Sequence, residues 1–292
     1  GNPFQIANVE QLTLMYYLPS VYYKQVNQID IEPKDYAAGV WNPATEVYDG
    51  RGLLYQEGYI GFRPVGTPAK PFTGSYDGQN FKISGLYSDN RNKDYIGFFG
   101  YVAGASSLRN IHLELRPNSA TEMGGILGQR FVGGLAGYCA STAAVINCSV
   151  VFAQVAGRRA VGGLIGQSST SLTGCFTVCD VLAVGFQGVG AEYGEAGGLI
   201  GRAVNNTTTP LNISKSFAAG SVFSGNQHAG GLAGRLNNAP SSALNMTDSF
   251  FTGNVKSADS VGAAAILLGS GDGNMGVING SRLYAAGTNV SF

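Results

Sequence analysis

The apolar positions of this chain fall into short runs that recur, interrupted by glycine and by polar turns. Val-Gly-Gly-Leu-Ala-Gly at 132–137 returns as Val-Gly-Gly-Leu-Ile-Gly at 161–166, Ala-Gly-Gly-Leu-Ile-Gly at 196–201 and Ala-Gly-Gly-Leu-Ala-Gly at 229–234. The leading glycines stand at 133, 162, 197 and 230, at intervals of 29, 35 and 33 residues. An earlier relative is Ile96-Gly97-Phe98-Phe99-Gly100, and a worn one begins at Val261-Gly262-Ala263. A self-similar step of about 30 residues marks a repeat architecture.

Each phrase is followed by a polar turn and a second apolar stretch, as in Ile146-Asn147-Cys148-Ser149, Leu172-Thr173-Gly174-Cys175-Phe176, Ile213-Ser214-Lys215-Ser216-Phe217 and Met246-Thr247-Asp248-Ser249-Phe250. A third follows in Ala219-Gly220-Ser221-Val222 and Thr252-Gly253-Asn254-Val255. Three short strands per unit predict an all-β fold, a right-handed parallel β-helix with coils of about 30 residues. The Gly/Ser/Asn connections are too short for the crossover helices of a βαβ fold.

Equivalent residues then stack. Gly133, Gly162, Gly197 and Gly230 form one column, Gly134, Gly163, Gly198 and Gly231 the next, and Leu135, Leu164, Leu199 and Leu232 a third. Cys148, Cys175, Ser216 and Ser249 form a column of small side chains. Strict alternation would send Leu164 and Ile165 to opposite faces, both apolar. Either a second layer covers the outer face, the favoured expectation, built from the longer turns at 203–212 and 236–244, or that face is an exposed apolar strip used for association.

The N-terminal third lacks this rhythm. Asn8 and Gln11 have the spacing of a capping box, which predicts a short helix over about 9–18 that covers the open edge of the sheet and stops before Pro19. Tyr22 to Ile31 alternates as a strand. Residues 32–70, with Pro33, Pro43, Pro64 and Pro68, form a long insertion. Phe72 to Leu86 reads as strand, Asp-Gly turn, strand. The organisation expected is one domain over 1–292: a cap at 1–20, first coils with the insertion at 21–94, and repeats at 95–292.

Composition narrows the partners. Eighteen basic and 18 acidic residues give zero net charge, without a basic cluster, which argues against nucleic acid. No apolar run reaches the roughly 20 residues that span a bilayer, so no membrane insertion is expected of this stretch. The chain begins Gly1-Asn2-Pro3 with neither Met nor leader, which reads as a piece whose targeting segments lie elsewhere. Cys139, Cys148, Cys175 and Cys179 show no metal-binding spacing and are expected as buried free thiols.

Candidate chemistry is sparse. His112 sits in an alternating strand and is expected on its polar face, and His228 is expected in a turn. Asp77, Asp89 and Asp94 surround Lys82, Arg91 and Lys93, and Glu192 and Glu195 share a glycine-rich loop, but no carboxylate pair is guaranteed by sequence. Asp77-Gly78 and Asp272-Gly273 read as turns and not calcium loops. No catalytic residue, cofactor or metal site is expected. Twelve of the 15 tyrosines lie at or before Tyr101, with the single Trp41. Trp41, Tyr48, Tyr55 and Tyr59 are candidate ligand-binding aromatics, and the competing reading is packing within the insertion.

Gly-Gly-Leu-x-Gly, a polar turn, Ile/Leu-x-Asn/Gly-Cys and Ala-x-Gly-x-Val together resemble the GLUG motif. The segment before it is similar to the one that commonly precedes such repeats: Ile6 to Leu12, Asp30-Ile31, Phe72 to Leu86, then Gly97 to Gly100. The resemblance implies a secreted or surface-anchored bacterial protein, adhesin-like, or a non-catalytic part of an immunoglobulin-A-cleaving metallopeptidase. The chain has only His112 and His228 and no His-Glu-x-x-His, so the peptidase's zinc chemistry is not expected here. The expected function is non-enzymatic binding of a host-surface glycan or protein. The alternatives are a polysaccharide-processing lyase or hydrolase, and a structural stalk or accessory domain of a larger secreted protein.

Overall fold

The structure, a computed structural model, describes residues 2–117, 124–140, 142–185, 193–205, 209–238, 243–258, 264–265, 267–271, 277–281, 284–286 and 290–291. It is all-β, and successive passes of the chain lay strands parallel onto the same four sheets. One pass runs through Ala144–Ile146 in the first sheet, Ser149–Gly157 in the second, Arg159–Gly162 in the third and Ile165–Ser168 in the fourth. The next pass repeats the order with Leu172–Thr173, Phe176–Ala183, Glu195–Gly197 and Ile200–Asn205. Neighbouring passes are therefore one strand spacing apart, about 4.8 Å.

Four strands per pass replace the expected three, because two of the sequence units contain a corner. The first corner is a residue in the left-handed region: Asn110 (φ 54°), Asn147 (φ 51°), Gly174 (φ 67°), Lys215 (φ 51°) and Asp248 (φ 51°). Glycine, asparagine and aspartate adopt this conformation at least cost, and Lys215 is the exception. The corner also carries a polar ladder, in which Asn147 Nδ2 donates to Asn110 Oδ1 (3.4 Å) and Asn110 Nδ2 to Asp77 Oδ1 (3.0 Å).

The second corner lies inside the glycine phrase, between the third and fourth sheets. It removes the problem of the second apolar face. The chain turns between Leu164 and Ile165, and both are fully buried in one core. Two passes earlier Phe98 and Phe99 occupy the same positions, and both rings meet Tyr76 of the first sheet, at 5.9 and 6.2 Å between centroids. No covering layer is needed. Ala203 and Asn205, expected in a covering turn, belong to the strand Ile200–Asn205.

The glycines of the phrase stand where the third and fourth sheets meet backbone to backbone. A methyl group on Gly162 would lie on the Ile165 carbonyl oxygen, and one on Gly201 on the backbone of Ala160 and Val161. Any side chain here would force the sheets apart. The predicted columns are present: Gly133 pairs with Gly162, Gly162 with Gly197 and Gly197 with Gly230. The Leu135 amide donates to the Leu164 carbonyl (2.9 Å), Leu164 to Leu199 (3.0 Å) and Leu199 to Leu232 (2.9 Å). Ser216 Oγ accepts from the Cys175 amide and Ser249 Oγ from the Ser216 amide, which sets out the small-residue column. The fifth phrase is shifted from its expected place. Gly230 pairs with Ala265, so Leu267 and not a residue after Gly262 continues the leucine column.

At the N-terminus the helix forms in two short pieces, Val9–Leu12 and Leu14–Tyr17. Asn8 Oδ1 accepts from the Gln11 amide, while Gln11 Oε1 reaches back to the Ala7 amide, one residue earlier than a capping box requires. Leu12 and Met15 are fully buried and close that end of the core. The expected strand from Tyr22 to Ile31 turns a corner instead, since Tyr22–Gln25 and Ile29–Asp30 lie in different sheets, and the strands on either side of the expected Asp-Gly turn, Ser75–Asp77 and Lys82–Leu86, also lie in different sheets. The Asp-Gly site is thus a corner between parallel sheets and not a hairpin. Within the insertion, Val40–Asn42 and Val47–Asp49 form an antiparallel pair whose Val40 is 75% exposed. The remainder contributes Leu54, Phe62 and Val65 to the core.

Candidate binding surface

Of the four aromatics singled out in the insertion, the structure describes the side chains of Tyr55 and Tyr59. Trp41 and Tyr48 are cross-strand partners in the antiparallel pair, and their side chains fall outside the described structure. Tyr55 carries the Arg51 guanidinium 5.0 Å from its ring centre. Tyr59 is approached by Lys93 at 4.9 Å and by Arg63 at 5.8 Å. These cations occupy ring surface that a sugar would use. Tyr55 and Tyr59 thus each take part in a cation–π contact within the chain.

A different set of aromatics comes together where the repeats begin. Tyr95 stacks on Phe131 (4.9 Å, interplanar angle 16°), Tyr101 stacks on Tyr138 (4.4 Å, 21°), and Tyr95 meets Tyr101 edge-on at 5.3 Å. All four are half-buried. Burial pushes the Tyr95 and Tyr101 phenols up, with neighbouring Asp94 and Tyr138 adding to it, so both stay neutral hydrogen-bonding groups at physiological pH. Sequence reasoning missed this set because its members come from two strands of each pass. The only hint was the shared interval, 36 from Tyr95 to Phe131 and 37 from Tyr101 to Tyr138.

Register extends both lines of residues. Phe131 is followed in the third sheet by Ala160, Glu195 and His228. Tyr138 is followed in the fourth by Gln167, Arg202 and Arg235. The two columns run side by side, and at their far end Glu195 holds both arginines. Arg202 Nε donates to Glu195 Oε2 (2.7 Å) and Nη2 to Oε1, and Arg235 Nη1 also reaches Oε1 (3.0 Å). The Glu195 side chain is fully buried, while those of Arg202 and Arg235 are 9% and 20% exposed. Glu195 thus opens a buried strand and not a solvated loop, and His228 is likewise a strand residue and not a turn residue. Glu192 and Asp272 lie outside the described residues.

The other candidates are dispersed. Asp77 pairs with Arg109 (3.0 Å), Asp89 with Arg91 (2.9 Å) and Asp94 with Arg130 (3.6 Å), so the three aspartates serve three separate sites. Asp77 Oδ1 also accepts from the Gln79 amide, the turn expected there. His112 is half-buried, with Nδ1 2.7 Å from Ser149 Oγ and Nε2 3.2 Å from Asn80 Oδ1, and desolvation lowers its pKa. The four cysteines are buried free thiols. Among the described residues no group of three or more His, Cys, Asp or Glu is placed to hold a metal, and no helix is long and apolar enough to cross a membrane.

No family model matches the chain, and no curated protein matches it. A solved structure from Bacteroides ovatus, of a protein provisionally named an immunoglobulin A1 protease, superposes on 97% of this chain and 75% of its own with a TM-score of 0.68. The two sequences are 18% identical, so what the chain shares with that protein is its fold.

Proposed function

We propose that the chain is a right-handed parallel β-helix of the GLUG-repeat kind, from a secreted or surface-anchored bacterial protein, and that it binds a carbohydrate without transforming it. The observation that carries the binding role is the half-buried set Tyr95, Tyr101, Phe131 and Tyr138. Flat amphipathic rings with neutral hydroxyls stack on sugar faces and hydrogen-bond their edges. The sequence motifs and the fold shared with the Bacteroides protein support the setting. That protein's name brings peptide cleavage to mind, but this chain's two histidines stand in different sheets and no His-Glu-x-x-His occurs.

A glycan array probed with the intact chain and with Tyr101→Ala/Tyr138→Ala tests the proposal. At least one glycan bound by the intact chain and lost by the variant is expected. Absence of binding to any glycan overturns the proposal in favour of a structural stalk. The polysaccharide-cleaving alternative has one foothold, Glu195 beside Arg202 and Arg235. Hydrolysis by paired carboxylates needs a second acid, and release of new reducing ends from a polysaccharide panel would establish it.

A further inference from the structure

We infer that the outer face of the first sheet carries a second saccharide site, a groove in which Tyr22 receives a sugar ring and Lys24 the carboxylate of an acidic sugar. This groove does not use the aromatic set around Tyr101 and Tyr138, which belongs to other sheets.

Strand register builds the groove. Tyr22, Ser75 and Ser107 are successive partners across three parallel strands, and Lys24, Asp77 and Arg109 are the partners two residues further on. Tyr23, Tyr76 and Leu108, between the two rows, are buried in the core, so alternation turns both rows outward. Two small serines, flanked by a tyrosine and by a row of longer charged side chains, leave a hollow of about 580 Å³. That volume suits a small ligand.

The groups facing the hollow have little else to bind. The Tyr22 ring is 61% exposed. Among the described residues, the Lys24 ammonium has no ion pair or hydrogen bond, and neither the Ser75 nor the Ser107 hydroxyl has a partner. Asp77, the register neighbour of Lys24, is engaged elsewhere. Its Oδ1 accepts from the Gln79 amide (3.1 Å) and from Asn110 Nδ2 (3.0 Å), and its charge is paired with Arg109 (3.0 Å). Arg109 matches the one carboxylate, which leaves Lys24 for the ligand.

Spacing then names the ligand class. Tyrosine stacks on the apolar face of a sugar ring, and serine hydroxyls both donate to and accept from sugar hydroxyls. Residues two apart on one strand face are about 6.6 Å apart at the backbone. A ring lying on Tyr22 therefore brings its own carboxylate to the Lys24 ammonium, a compact charge with three donors. The carboxylate can belong to an internal uronate or to a terminal sialic acid, and the groove meets the same chemistry in both.

Isothermal titration of the intact chain against two matched pairs tests the site: tetragalacturonate with its methyl ester, and 3′-sialyllactose with lactose. Preference for the acid in the first pair identifies an internal uronate, and in the second a terminal sialic acid. In the pair that shows it, Lys24→Gln is expected to weaken the acidic member about tenfold, the worth of one charge-assisted contact, and to leave the neutral member within about twofold. Lys24→Arg should keep most of the preference, and Tyr22→Ala should weaken both members. Tyr101→Ala/Tyr138→Ala should leave the preference intact. A thermal melt of each variant verifies its folding. Equal binding of acidic and neutral members, or a preference that survives Lys24→Gln, overturns the acidic site. Binding lost in Tyr101→Ala/Tyr138→Ala but kept in Tyr22→Ala assigns the sugar to the other aromatic set and also overturns it. Binding of no probe overturns it too, and a glycan array that is still positive then leaves the carbohydrate-binding proposal standing.

Discussion

Leu199 and Leu232 are 33 residues apart in the chain and one pass apart in space, the Leu199 amide donating to the Leu232 carbonyl at 2.9 Å. Both side chains are fully buried, in a column with Leu135 and Leu164. Each pass buries its apolar side only against its neighbours, so damage at the middle of the column uncouples both halves. Leu199→Ala is expected to cost about 2–5 kcal/mol, and Leu199→Met less than about 1.5 kcal/mol. Urea unfolding followed by circular dichroism measures both. Equal, small costs would show that the leucines are not packed as a column.

Gly162→Ala should be at least as damaging as Leu199→Ala, although it adds a single methyl group. The new carbon would meet the Ile165 carbonyl oxygen and the Gly201 amide, and backbone cannot step aside as a side chain can. A melting temperature within about 2 °C of the parent, a shift worth only about 1 kcal/mol in a chain of this size, would refute this account of the glycine phrase.

Arg202→Ala is predicted to destabilise by about 3–5 kcal/mol, because it strips most of the charge compensation from a fully buried carboxylate. Arg235→Ala should cost less, since Arg202 keeps its two hydrogen bonds to Glu195. Chemical denaturation of the two variants side by side checks the order, and the reverse order would show that Arg235 is the principal partner.

The thiols should be inert while the chain is folded. Burial pushes Cys139 and Cys148 up, and Cys179 to about 12, leaving little thiolate. Cys175 is held lower by its hydrogen bond with Cys148, but is equally buried. Ellman's reagent is expected to titrate none of them quickly in buffer and all four in guanidinium. Rapid labelling of one thiol in buffer would contradict their burial.

His112 gives stability a pH dependence. Desolvation lowers its folded pKa, so below its unfolded value, about 6.5, the unfolded chain binds the extra proton. Its neutral form is favoured by the fold, and that contribution is complete above about pH 6.5 and lost as pH falls toward the folded pKa. Wild-type stability should therefore decline from pH 7 toward pH 5 more steeply than that of His112→Gln. Parallel curves would remove His112 as the cause.

Much of the stack was legible because a repeat turns sequence interval into spatial neighbourhood. The intervals between phrases were enough to align Gly133 with Gly162 and Leu164 with Leu199. Corners were not legible. Nothing in Leu164-Ile165 distinguishes a straight strand from a turned one, and only the third dimension shows both side chains entering one core. The charged end was hidden for a related reason. Glu195 and Arg202 belong to strands of different sheets, and their meeting depends on the turn between them rather than on the interval. The worn fifth phrase misled because Gly262 looks more like its relatives than Ala265 does, although Ala265 holds the register. Tyrosine density drew attention to Tyr55 and Tyr59, but not to the cations of the same chain that meet their rings.

The two columns that run from Tyr95 and Tyr101 to His228 and Arg235 also give the molecule a polarity. Their ends differ in kind, rings at one and guanidinium groups at the other, and all the strands they cross point the same way. The strip therefore has two distinguishable ends, and because each pass contributes one residue to each column, a single substitution changes one row and leaves the register of the others as it was.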